Sequence, residues 1–130
     1  MVVTDVIETR CCFINKIDEA QNILRIEPKR DIEVELDDIA DIDNAYKHLL
    51  NNERGKFLVV FSEDCSSNKE MKEKLASKER SEIKKAEALV IKSLAHRLEA
   101  NFYIRHFKPQ HPIAVFTSEM KGIEWLKTIN

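Results

Sequence analysis

The chain has 130 residues, a formal net charge of −2, 43% apolar and 34% charged residues. That size and balance suit a single globular domain spanning 1–130, and they exclude an intrinsically disordered chain and a strongly basic nucleic-acid binder. The longest apolar run, ending at Phe61, is far short of the roughly 20 residues that cross a bilayer. No basic-then-apolar leader follows Met1, and three cysteines, an odd number, suit a reducing compartment; the expectation is a cytoplasmic protein.

Taken in chain order, Val6 to Ile14 alternates as a strand. Ile7, Thr9, Cys11 and Phe13 fall on one face and Glu8 and Arg10 on the other. By the same alternation Cys11 and Cys12 point to opposite faces, one to the core and one outward. Asn15 to Asn22 reads as a turn, and a second strand over 23–27, with Leu24 and Ile26 inward, completes an antiparallel hairpin that Pro28 ends. Ile32 and Val34 could briefly extend the pairing. A helix is predicted over Asp37 to Asn51, with Ile39, Ile42, Tyr46, Leu49 and Leu50 in one stripe, acids in its first turn and Lys47 and His48 in its last.

Phe57 to Phe61 is apolar on both faces, as in a central strand covered on each side. The polar loop Ser62 to Asn68, a charged helical stretch from Lys69 to about Lys84, and a strand over Ala86–Ile91 follow. Ser93 caps a helix over Leu94–Phe107, whose Leu94, Leu98 and Phe102 recur every four residues as its core stripe. Pro109 and Pro112 stop it. A strand over Ile113–Phe116 leads to a last helix capped by Thr117, with Met120, Ile123, Trp125 and Leu126 supplying burial and Gly122 allowing close packing. The strand–helix alternation after residue 35 implies a largely parallel sheet with flanking helices and an N-terminal antiparallel hairpin, an α/β fold.

No catalytic set, cofactor fingerprint or metal motif stands out. With only two glycines there is no phosphate-cradling loop, and His48, His96, His106 and His111 lack the tight spacing of a zinc site. The richest candidate is the loop Asp64-Cys65-Ser66-Ser67-Asn68. It lies beyond a central strand and before a helix start, where backbone amides favour anions and would activate a thiol. A Cys65-dependent enzyme would also need a positioned base, and none is evident.

Charge patterning says more. Asp31 to Asp43 holds seven acids and no base, whereas Lys69 to Lys85 holds seven bases and four acids, and Lys92, Arg97, Arg105 and Lys108 continue the positive bias. Complementary patches of this kind suit docking of a protein partner or of a second copy of the chain. Phe102, Tyr103, Ile104 and Phe107 exceed what one buried helix face requires, which marks that helix as a candidate interface.

Ala88-Leu89-Val90-Ile91, the helix ending Ala100-Asn101-Phe102-Tyr103-Ile104, Lys108-Pro109, Pro112, and Val115-Phe116-Thr117 leading to Glu124-Trp125-Leu126 carry a resemblance. With the hairpin and the acidic start Glu35-Leu36-Asp37-Asp38, this pattern resembles the SpoIIAA-like domains, the superfamily that includes STAS domains and small bacterial relatives. The resemblance implies a SpoIIAA-like (STAS-like) fold and a non-enzymatic regulatory or protein-interaction module. Phospho-regulation would fall at Ser66 or Ser67, although Asn68-Lys69-Glu70 stand where glycine and leucine usually follow. The alternative is a module for a small apolar molecule or lipid, with Phe57, Phe61, Phe102 and Trp125 lining its pocket.

Overall fold

The sheet is built on two central strands that are buried almost throughout, with more exposed strands at its edges. The computed structural model describes residues 6–61 and 82–129. Its strands are β1 (Ile7–Glu8), β2 (Cys12–Asp18), β3 (Ile23–Pro28), β4 (Gly55–Val60), β5 (Lys84–Val90) and β6 (Ile113–Phe116). They form one six-stranded sheet in the order β1-β2-β3-β4-β5-β6. The described helices are α1 (Leu36–Leu50), α2 (Leu94–Phe107) and α3 (Glu119–Thr128). None of them is long and apolar enough to cross a membrane.

The first expected strand is divided. The Thr9 hydroxyl accepts from the backbone N–H of Cys11 at 3.3 Å and of Cys12 at 3.1 Å, which folds the chain back between β1 and β2. β2 then runs on through Asn15-Lys16-Ile17, where a turn was expected, and the turn falls at 19–22 instead, where Asp18 Oδ1 accepts from Gln21 N at 2.8 Å. Asn22 closes that turn with φ 57°, a left-handed value that asparagine tolerates. Ile14 therefore opposes Ile26 in the core, whereas Phe13 opposes Glu27 on the other face.

Because of this division β1–β2 and β2–β3 are both antiparallel, while β3–β4, β4–β5 and β5–β6 are parallel. The sheet is mixed, and the expectation of a largely parallel one is corrected. Alternation along the central strands splits the core in two. Phe57, Val59, Leu89 and Ile91 face α1 and Ala100 of α2, and Leu58, Val60, Ala88 and Val90 face Leu126 of α3. Gly122 permits this second contact, since a Cβ there would lie 2.8 Å from Leu58 Cδ1. Ser118 caps α3 in place of Thr117, its Oγ accepting from Lys121 N, and Met120 is exposed where burial was expected.

Candidate functional site

α2 starts where the sequence places it, with Ser93 Oγ accepting from His96 N at 3.1 Å. Its orientation is reversed. Leu94, Leu98 and Phe102, expected as the core stripe, are 71%, 61% and 53% exposed. The inward row is His96, Ala100, Tyr103, Ile104 and Phe107, of which Ala100 alone is fully buried and the others are half-buried. A small residue at 100 lets the helix approach the sheet there. A leucine or phenylalanine at position 100 itself would hold it off.

The four candidate interface residues thus divide between two faces. Phe102 belongs to the outer row, while Tyr103, Ile104 and Phe107 lean toward the sheet. Phe102 stacks on His106 with ring centroids 5.1 Å apart and planes 11° apart, which carries the outer row on to the last turn. Exposed Lys92, Arg97, Arg105 and Lys108 surround it, and Glu99 is the one acid within the helix. On α1 and the chain leading to it, Asp31, Glu33, Glu35, Asp37 and Asp41 are exposed and carry the opposite sign.

The exit of α2 is fixed by a buried charged cluster that the sequence reading missed. Glu87 Oε2 accepts from Lys84 Nζ at 3.1 Å, and Glu87 Oε1 lies 3.0 Å from Nε2 of His111, in the turn between α2 and β6. All three residues are buried. Burial by itself would raise the Glu87 carboxyl. The Lys84 charge and the His111 hydrogen bond outweigh it and hold the group at about 2. An ionised carboxylate only accepts, so Nε2 of His111 carries the proton between them. Lys84 and Glu87 are three apart, a spacing that an unbroken strand sends to opposite faces. The register shift beside Lys85, where Gly55 pairs with Lys84 but Lys56 with Ala86, brings them together.

The other sequence candidates separate. Asp64, Cys65, Ser66, Ser67 and Asn68 lie outside the described residues, as does most of the charged stretch that follows. Cys11 and Cys12 are 1% and 2% exposed, so neither points outward. Cys11 sits in the Thr9 turn, where strand alternation does not hold, and both sulfurs reach the core that α1 covers. The bond between the two thiols lowers Cys11 to about 7, with Thr9 adding to it against the effect of burial, and raises Cys12, where burial adds to it and Thr9 opposes. Phe57 and Trp125 lie on opposite sides of the sheet, and Phe102 is on the outer row of α2, so the expected apolar pocket is not assembled from them. Among the described residues no three His, Cys, Asp or Glu side chains group as metal ligands.

Fold and site together define an α/β domain with a mixed sheet that turns the apolar row of one helix toward solvent. Residues 16–130 match the model of the family described as "Domain of unknown function (DUF7793)", and the chain belongs to that family. No curated protein and no solved structure matches it.

Proposed function

We propose that the chain is a non-enzymatic interaction module that docks a second copy of itself through the outer row of α2. The observation that carries this reading is the exposure of Leu94, Leu98 and Phe102 in one row of a helix that buries only Ala100. Three such side chains offer on the order of 300 Å² of apolar surface, the scale at which a patch on a monomer is commonly functional.

A stable dimer covers about 800 Å² per partner, so the apolar row can only be the centre of the contact. Its rim is basic, and the exposed acids before and along the start of α1 are the matching surface on the other copy. Both helices lie on the same side of the sheet, so a two-fold pair sets each α2 against its partner's α1 and forms the contact twice. Exposed Leu36, in the first turn of α1, gives the acidic surface an apolar element of its own. The resemblance to SpoIIAA-like domains supports a regulatory, protein-binding role.

Light scattering on a gel-filtration column, at low and high salt, tests the proposal. The parent is expected to elute as a dimer that weakens as salt screens the rim, and Phe102→Asp is expected to elute as a folded monomer. A parent that is monomeric at low salt and high concentration sinks the reading. So does a Phe102→Asp variant that remains dimeric.

A further inference from the structure

A second surface, at the opposite end of the sheet from the strand ends where α/β folds usually hold ligands, is built from charges. Where β3, β4 and β5 begin, a cavity of about 370 Å³ opens between the β2–β3 turn, the end of α1 and the start of β5. Among the described residues four cations line it, Lys16, Arg54, Lys56 and Lys85, and two carboxylates, Glu19 and Glu53.

Lys56 is the telling member. It is 4% exposed, and its Nζ donates to the neutral amide oxygen of Gln21 at 2.8 Å. Among the described residues no carboxylate lies within ion-pair distance of it. Burial and then the charge of Lys85 lower its pKa, and Asp18 opposes them only in part. Burying an ammonium group without a counter-charge is costly, and proteins keep such lysines mainly where something else supplies the charge. The other cations are placed around it. Arg54 is oriented by its bond to Lys84 O at 2.9 Å, and Lys16 has Glu19 at 3.7 Å.

We infer that this cavity binds a phosphate group, free or carried on a small molecule, with Lys56 as the buried anchor and Arg54 and Lys85 at its mouth. A phosphate supplies the counter-charge that buried Lys56 lacks among the described residues, and its oxygens can accept from several donors at once where a carboxylate offers fewer. The volume is at the small end of the range for ligand sites, roughly 300 to 1,000 Å³, which leaves room for a few carbons beside the phosphate.

The test is thermal unfolding and calorimetric titration with inorganic phosphate and with glycerol phosphate, using glycerol and potassium chloride at matched ionic strength as controls. The parent is expected to melt higher with one or both phosphates and with neither control. A larger response to glycerol phosphate assigns the ligand to an ester, and an equal one assigns it to phosphate itself. Lys56→Met is expected to lose the response while melting no lower than the parent without ligand, because an uncompensated charge has been removed. A purely structural lysine would instead lower the melting point. Should Lys56→Met fail to fold, the double change Arg54→Ala with Lys85→Ala is expected to weaken binding by roughly tenfold or more. A parent that responds to neither phosphate overturns the inference. So does an undiminished response in the folded variant.

Discussion

α1 and α2 are nearly the same length, 15 and 14 residues, and cover the same side of the sheet, yet they are used differently. α1 buries Ile39, Ile42, Ala45, Tyr46 and Leu50 together with Asp38, and Tyr46 packs on Phe57 with ring centroids 4.7 Å apart. α2 buries Ala100. A stripe at three- and four-residue spacing shows that a helix has an apolar side. It does not show that this side is covered. α1 has one apolar side and an acidic one, so a single orientation satisfies it. α2 is apolar on two sides, and fit against the sheet at Ala100 decides between them. The outer row that remains is the surface assigned to docking.

Their anchors differ too, and the largest expected effect lies there. α2 leaves through the buried Lys84–Glu87–His111 cluster, and α1 enters through Arg10 and Asp38, with Arg10 half-exposed. Glu87→Gln leaves Lys84 buried without its carboxylate and is expected to cost about 3 to 5 kcal/mol in urea unfolding. The parent should also be acid-sensitive in a defined range. A carboxylate held below its unfolded value of 4.5 adds stability that is complete above that pH and is withdrawn as the pH falls toward about 2. In Glu87→Gln that part of the acid response should be missing. An unchanged acid profile would mean that the cluster does not hold α2.

Next in size is the contrast between the helices themselves. Ile42→Ala is expected to cost about 2 to 5 kcal/mol, since it empties a filled core site. Leu98→Ala, on the outer row of α2, is expected to stay within about 0.5 kcal/mol at concentrations where the chain is monomeric. If Leu98→Ala were as costly as Ile42→Ala, the outer row would be covered within the chain itself, and the docking surface would be lost.

What was legible in the sequence follows from the same physics. α1 was readable to within one residue at each end, and the bounds of α2 and β6 match, because their stop signals are local: Asn51 in a left-handed conformation, Lys108 before Pro109, and Pro112. The β1–β2 turn was not readable, because it depends on one hydroxyl, that of Thr9, capturing two amides within an otherwise regular alternation. The Lys84–Glu87 pair was hidden by the register shift beside Lys85. Lys16, Lys56 and Lys85 meet only in three dimensions, and nothing local in the chain announces the cavity they line.

The smallest effect belongs to the entry of α1, and it tests whether that helix is held by its stripe or by its ion pair. Arg10 Nε donates to Asp38 Oδ1 at 2.9 Å, its Nη2 reaches Asp38 Oδ2 and Glu33 O, and Asp38 Oδ2 also accepts from Glu35 N at 2.8 Å. Arg10 holds the Asp38 carboxyl below 3.8 against the effect of burial, with the Glu35 N–H adding to it. Solvent screens a pair whose arginine is half-exposed, so Arg10→Ala is expected to lower the urea midpoint only slightly. Asp38→Ala also removes the bond to the Glu35 amide and should cost about 1 kcal/mol more. The contribution of Arg10 should be present above pH 3.8, and it should shrink below that value as Asp38 protonates. Urea midpoints at neutral pH and at pH near 3 measure both. An Arg10→Ala cost equal to that of Ile42→Ala would place the hold on α1 in its first turn, and the contrast between a helix secured by its apolar stripe and one secured at its exit would fail.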